Sequence, residues 1–357
     1  MTGLLLHERI TITSFTRVIP VSEASASRSN TGTEVCNDEA MSTKPHTPAN
    51  APRPASSALG HALLIAGDKW SLQIIRHTLG GARRFRQLGD DLQISDAVLS
   101  QRLTRLTSDG ILEARQYSST PPRNEYALTE SGEQLWQTFV ALWTWDRAWA
   151  PRVSGKSETA LRHLTCGHLI APVFGCGECH AIGVSARDVY TEVDDRLLLD
   201  VSDRRSRRSS ANDVADNMDS TSVLAERWST FILSAALQGI RRFSDFQDTL
   251  GSISPVTLTD RLTVFVENGM LARAPVTDGA RRQEYRTTPK SLDFFPVFAA
   301  LNDWAKVHLS QDGLSGLEFF HRAGDHILLP RYTCNACNIE ISRADVIFEA
   351  LEEQVLR

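Results

Sequence analysis

Residues 94–126 read ISDAVLSQRLTRLTSDGILEARQYSSTPPRNEY, and the order of parts in this stretch decides the fold. Ser95 and Asp96 put a hydroxyl and a carboxylate at the start of a helix, where free backbone N–H groups and the positive dipole end favour both. Val98, Leu99, Leu103 and Leu106 recur at helical spacing and form one apolar face. Ser100, Gln101, Arg102, Thr104 and Arg105 fall on the faces that remain. Gly110 stops the helix, and strands over 112–117 and 124–128 flank the polar loop SSTPPR, with Arg123 at its base. Arginine and glutamine on an exposed helix face match guanine and adenine edges in a major groove. The stretch predicts a recognition helix followed by a wing, with an ordinary solvated helix face as the plain alternative.

The stretch recurs. Residues 253–285 read ISPVTLTDRLTVFVENGMLARAPVTDGARRQEY. Ile94, Leu99, Arg102, Leu103, Gly110, Leu112, Glu125 and Tyr126 return at Ile253, Leu258, Arg261, Leu262, Gly269, Leu271, Glu284 and Tyr285, each 159 positions on. A repeat of this length marks a duplicated domain, because solenoid units run to roughly 20 to 50 residues. Ser254 caps the second helix, and Pro255 takes its first position, where a missing N–H costs nothing. The copies also differ: Gln101 becomes Asp260, Arg105 becomes Val264, and the wing prolines give way to TDGARR with Arg281 and Arg282. A carboxylate is repelled by phosphate, so the first copy is expected to read bases more strongly and the second to position or pair.

With 357 residues the chain has room for two or three domains. Its net charge of −5 excludes a polycation, so any hold on nucleic acid must come from local patches. There is no run of 18 or more apolar residues, and His7, Glu8 and Arg9 interrupt the first apolar stretch, so the expected compartment is the cytoplasm without a membrane partner. Residues 1–55 are rich in Ser, Thr, Pro and Ala without apolar period and read as a disordered tail. Residues 56–150 form the first winged-helix domain and 151–190 a Cys/His element. Residues 191–221, which carry RRSRR, are a linker; 222–308 form the second winged-helix domain, and 309–357 a second Cys/His element with a C-terminal helix. The fold class expected is mainly α with small β wings (α+β), as two tandem winged helix-turn-helix units. The helix after each wing is unusually bulky, with Trp136, Trp143, Trp145 and Trp149 in the first and Phe294, Phe295, Phe298 and Trp304 in the second, so the two helices are candidates to pack on each other.

GDKWSLQIIRHTLGGARRFRQL, ISDAVLSQRLTRLTSDGIL and PPRNEYALTESG, with the Trp-rich helix that follows, resemble the HxlR-type winged-helix transcriptional regulators of bacteria. The resemblance covers about residues 58–149, and more loosely 222–307. It implies operator binding and dimerisation through the first and last helices of the domain. Family members often carry a reactive cysteine followed by proline ahead of the first helix. Here that region is SSALG, with Ser56 and Ser57, which leaves that thiol mechanism without its thiol.

Each winged-helix copy is followed by H-x4-H-x7-C-x2-C. His163, His168, Cys176 and Cys179 align with His321, His326, Cys334 and Cys337, all 158 positions apart, and the first copy adds Cys166 where the second has Gly324. Two cysteines three apart on a tight turn, with two imidazoles nearby, suit the tetrahedral sites that hold structural zinc. Within the first copy the set is Cys2His2, or Cys3His if Cys166 joins. CxxC redox chemistry and unliganded thiols stay open beside zinc.

These features predict a sequence-specific regulator of transcription that binds double-stranded DNA through Ser100, Gln101, Arg102, Arg105 and Arg123, and through Arg261, Arg281 and Arg282 in the second unit. A small-molecule effector, an intrachain pseudo-dimer and a homodimer are further expectations. The runner-up is a winged-helix module that binds protein and not DNA. An enzyme is not expected, because no general base pair, phosphate loop or nucleophile elbow is present and four side-chain ligands leave a metal no open position.

Overall fold

The structure is a computed structural model that describes residues 58–150, 159–193, 218–251, 253–277, 282–310 and 316–350. The tail assigned to 1–55, the basic run RRSRR and Arg281 lie outside the described residues.

The first unit runs α1 (Ala58–Ala66), α2 (Lys69–Thr78), β1 (Arg83–Arg84), α3 (Phe85–Leu92), α4 (Asp96–Ser108), β2 (Leu112–Ser119), β3 (Pro122–Leu128), α5 (Glu130–Gln134) and α6 (Trp136–Trp149). The apolar stripe that starts at Leu59 is two helices, because Asp68 interrupts it and accepts from Ser71 N at 3.0 Å as the cap of α2. A Cβ at Gly67 would lie 2.0 Å from the Leu63 carbonyl, so only glycine fits that corner. Ser95 holds the extended backbone of an N-cap but makes no side-chain cap bond, whereas Ser254 accepts from Thr257 N at 3.1 Å. Leu99, Leu103 and Leu106 are buried as their spacing requires, and Gly110 takes φ +72 to end α4.

The second unit repeats the order as α7 (Ser220–Ala225), α8 (Arg227–Leu237), α9 (Phe243–Leu250), α10 (Pro255–Glu267), β8 (Leu271–Pro275), β9 (Gln283–Thr287), α11 (Pro289–Leu292) and α12 (Phe295–His308). The β1–β3 pairing of the first unit survives here as one bond, from Tyr285 N to Arg241 O at 2.7 Å.

Helices α6 and α12 pack together at the centre. Trp145 Nε1 donates to Lys290 O at 2.8 Å, and Trp304 Nε1 donates to Ser131 O at 2.8 Å. Trp149 Nε1 reaches Asp293 Oδ2 at 3.0 Å, and its counterpart His308 Nε2 meets Gln134 Oε1 at 2.8 Å. Each bond is carried onto its mate by a shift of 159 residues, so the contact is self-complementary in the way a twofold dimer is. Trp145 packs edge-on against Phe294 at 5.4 Å between ring centres, and both are almost wholly buried. Burying large apolar side chains contributes about 1.5 to 3 kcal/mol each, against about 1 kcal/mol for a neutral hydrogen bond, so apolar area holds this contact and the indole bonds fix its register.

The segments after each unit are exchanged. From the first come β4 (Thr159–His163), β5 (Leu169–Ile170), β6 (Val173–Cys176) and β7 (Val189–Val193). From the second come β10 (Leu317–His321), β11 (His326–Ile327), β12 (Pro330–Thr333) and β13 (Val346–Ala350). β6 pairs with β12, β7 with β10 and β4 with β13, all antiparallel, so each pair takes one strand from each unit. Two corrections follow. The C-terminal helix expected within 309–357 is not met among the described residues, where Val346–Ala350 is strand: β-branched Val346 and Ile347 with Phe348 suit a pleated edge, and β4 supplies the partner; residues 351–357 lie outside the described set. Val189–Val193 likewise reaches into the region assigned to the linker, because β10 needs a partner strand.

Candidate functional site

Midway along α4 Ser100, Gln101 and Thr104 are exposed, with Asp96 and Ala97 exposed at its start and Thr107 and Ser108 at its end, and the positions of α10 that match Ser100 and Gln101 expose Thr259 and Asp260. Val256, in the first turn of α10, is 70% exposed. Beside α4 the wing is a two-residue hairpin in which Arg123 is exposed opposite Ser118. Pro122 already belongs to β3, so the tip is narrower than the sequence suggested. In the second wing Arg282 is exposed, and its carbonyl accepts from Val276 N at 3.0 Å.

Three arginines placed on the DNA face by sequence are turned inward. Arg102 Nε lies 2.7 Å from Asp68 Oδ2. Arg261 Nη2 lies 3.4 Å from Glu226 Oε1, with the two side chains only 11% and 13% exposed. Asp68 and Glu226 are the N-caps of α2 and α8, so the same pair ties α4 to the start of α2 and α10 to the start of α8. Arg105 Nη2 donates to Leu64 O at 2.6 Å, and its Nε faces Asp109 at 3.4 Å. The reason lies in the helix itself: Arg102 and Arg105 each precede a buried leucine and flank the apolar stripe, within reach of α1 and α2. Val264, which replaces Arg105, is buried. The sequence signal for the ion pairs was an acid two residues before Trp70 and Trp228 in both copies.

The cysteines and histidines gather into two clusters, but not by copy. His163 and Cys166 join Cys334 and Cys337, while Cys176 and Cys179 join His321 and His326, and the donor atoms of each set lie within 4.8 Å of one another. The expectation that each copy closes its own site is therefore corrected, because the β6–β12 pairing carries each CxxC turn over to the histidine of the other unit. His168 belongs to neither cluster and is exposed. Its counterpart His326 does serve, because Gly324 stands where the first copy has Cys166. A Cβ at Gly324 would lie 2.4 Å from His326 Nδ1, so the imidazole lies across the space where a side chain at 324 would begin.

In the first cluster His163 Nδ1 is 3.2 Å from Cys166 Sγ and 3.4 Å from Cys337 Sγ, and Cys166 Sγ is 3.8 Å from Cys334 Sγ. In the second, Cys176 Sγ is 3.3 Å from His326 Nε2 and Cys179 Sγ is 3.2 Å from His321 Nδ1. A tetrahedral ion with metal–sulfur bonds of about 2.3 Å and metal–nitrogen bonds of about 2.05 Å would set S···S edges near ~3.8 Å and N···S edges near ~3.6 Å. The observed edges fall close to both, and Cys3His and Cys2His2 are the donor sets of closed structural sites. Burial pushes the Cys176 thiol up. Backbone N–H groups of Cys179, Leu329 and Glu178, with the His326 ring, more than offset this and bring it to about 7. For Cys334 burial also acts upward and is outweighed by the N–H groups of Cys337 and Ala336. One thiol of each turn, Cys176 and Cys334, therefore favours thiolate, the form that ligates a metal, whereas at Cys337 the lowering N–H of Ile339 is outweighed by burial and by Cys334 and Cys166, which raise it. Both clusters are positioned to hold a metal ion.

A three-helix core, a helix-turn-helix and a wing, present twice, define a winged helix-turn-helix protein. The chain belongs to the HxlR-like helix-turn-helix family, whose profile matches residues 65–154 and 223–313, together just over half of it. It is similar to an uncharacterised HTH-type transcriptional regulator of Mycobacterium tuberculosis, 39% identical over 135 residues, which are 38% of this chain and 84% of that one. It is also similar to the HTH-type transcriptional regulator YodB of Bacillus subtilis, 31% identical over 99 residues, 28% of this chain and 85% of YodB. Among solved structures, one described as a transcription factor from Pseudomonas aeruginosa shares 34% identity over 33% of this chain and 80% of its own, with a TM-score of 0.27. Among the described residues no helix is long and apolar enough to cross a membrane.

Proposed function

We propose that this chain is a sequence-specific DNA-binding regulator in which one polypeptide supplies both readers of an operator. What supports this most is the reciprocal α6–α12 contact, which gives a single chain the twofold pairing that separate subunits otherwise reach by association. Ser100, Gln101 and Thr104 read base edges from α4, and Arg123 holds the adjoining backbone; α10 and Arg282 act likewise in the second unit. Gln101 suits adenine, whereas Asp260 at the matching position suits the cytosine amino group. The two half-sites are therefore unlike, and the operator is not a palindrome. Zinc fills both Cys/His clusters in a structural role.

Selection from a random-sequence duplex pool, followed by affinity at two salt concentrations, tests the reading. Expected are an asymmetric selected site and an affinity that falls steeply with salt, because phosphate contacts release counterions. A chain that enriches no duplex would be a protein-interaction module, a reading that the net charge of −5 and Asp260 favour.

A further inference from the structure

We propose that the two metal centres are a clamp across the units and that the Cys176/Cys179/His321/His326 centre is the labile one, whose zinc occupancy sets affinity for DNA; this rests on the DNA-binding reading above. Each centre draws two donors from each unit, so neither ion binds without fixing one unit against the other.

The centres are unequal. Each has two buried donors, His163 and Cys334 in the first and Cys176 and His321 in the second; in the first the other two, Cys166 and Cys337, are half-buried and three of four donors are thiols. In the second, Cys179 is exposed, His326 is half-buried and only two donors are thiols. Each centre has two donors that are not buried, but only here is one of them, Cys179, exposed to water and competing ligands, and the softer thiolate set belongs to the other centre. Zinc leaves the second centre first.

That centre is wired to the interface helix. β10, which ends at His321, is held to α12 by Asn302 Nδ2 donating to Leu317 O at 2.9 Å and by Lys306 facing Glu318 at 2.8 Å. Phe295 of α12 packs edge-on against Phe319 at 5.3 Å and against Phe174 of β6 at 6.1 Å. The ion thus joins the ends of β6 and β10, and both strands bear on the helix that meets α6. Its loss leaves the α6–α12 contact in place, so the fold persists while the exchanged strands loosen. Two readers on one duplex need a fixed separation, about 34 to 36 Å for adjacent turns of a groove, so loosening lowers affinity.

Zinc counting on the full-length chain, purified with zinc, tests the composition. The unmodified chain is expected to hold two ions, and Cys166→Ser/Cys334→Ser and Cys179→Ser/His326→Ala one each. Cys179→Ser/Cys166→Ser is expected to hold none. If each copy closed its own site, Cys179→Ser/His326→Ala would hold none and Cys179→Ser/Cys166→Ser would keep one, and either result overturns the clamp. Transfer to a chromogenic chelator should show a fast phase of one ion that is missing from Cys179→Ser/His326→Ala; a single phase of two ions overturns the unequal pair. For the coupling, the probe is the duplex that the zinc-loaded chain selects from a random pool. Removal of the fast ion from the unmodified chain, with circular dichroism to verify the fold, should weaken binding on the order of tenfold, with recovery on adding zinc. Unchanged binding by the one-zinc chain overturns the coupling. A chain that selects no duplex in any metal state overturns the regulator reading and the coupling together, while the zinc counts decide the composition separately.

Discussion

Trp145 and Trp304 make the same bond from opposite sides: each indole N–H crosses to a backbone carbonyl of the other unit, Lys290 or Ser131. Because the two bonds are related by the internal repeat, their losses should be alike. Trp145→Phe and Trp304→Phe each strand a carbonyl at a buried contact and should each lower stability by about 1 to 2 kcal/mol, read from urea midpoints. A loss confined to one of the two would show that the contact is not reciprocal in solution.

Arg102 and Arg261 should matter for folding more than for reading sequence. Arg261→Ala leaves the little-exposed Glu226 without its partner and is expected to cost about 1 to 3 kcal/mol. Arg102→Ala, at a wetter pair, should cost about 1 kcal/mol or less. Gln101→Ala should change the selected sequence at one position with little effect on stability. A changed preference in Arg102→Ala with unchanged stability would return that side chain to the groove.

Asp146 anchors the start of the second unit, accepting from Ser220 N at 2.7 Å and Ser220 Oγ at 2.8 Å. Burial raises its carboxyl to about 6, against the lowering effect of the two Ser220 bonds, with Asp219 also raising it and Arg76 lowering it. A carboxyl raised on folding binds its proton more tightly in the native state, so its contribution is complete below about pH 4 and is lost as pH rises through about 6. Asp146→Asn should flatten the stability difference across that window in paired denaturant titrations. A parallel offset at every pH would show that the carboxyl is already charged.

The halves are not equally filled. Val189 faces His321 as Val346 faces His163, so Ala186 and Thr191 stand where the other half has Arg343 and Phe348. Arg343 donates to Leu79 O, and Phe348 packs edge-on against Trp143 at 6.0 Å. On the other side Ala186 and Thr191, with Leu237, Phe298 and Phe319, line a small solvent-open crevice. Ala186→Arg/Thr191→Phe should fill it and raise the melting temperature by about 1 to 2 °C, the shift that about 1 kcal/mol gives in a protein of this size. A lowered melting temperature would mean the crevice cannot accept those side chains.

The winged-helix units were legible because their information is local: leucine spacing in α4, glycine where φ turns positive at 110, and a hairpin that follows directly. The bulky helices also announced a shared face, since one four-tryptophan helix carries more apolar surface than a small domain hides. The exchange of strands was not legible. Identical H-x4-H-x7-C-x2-C spacing in both copies fits a site within each copy and a site across copies equally well, and only the β6–β12 pairing separates them. Spacing likewise made His168 a ligand, although its counterpart His326 takes that role only because residue 324 is glycine. The inward turn of Arg102 and Arg261 escaped notice because their partners, Asp68 and Glu226, are distant in sequence and identified as caps only in three dimensions.

The exchanged strands impose an order on biosynthesis. β4 is translated early, yet its edge partner β13 comes from residues 346–350, and Leu164 N finds its acceptor at Asp345. As the ribosome delivers the chain from its N-terminus, the first winged helix has everything needed for its own core, but three cysteines and one histidine wait for residues 321–337 before any of them gains a complete coordination sphere. A product terminated before the second unit would expose thiols without their partner donors and a tryptophan-rich helix without its mate.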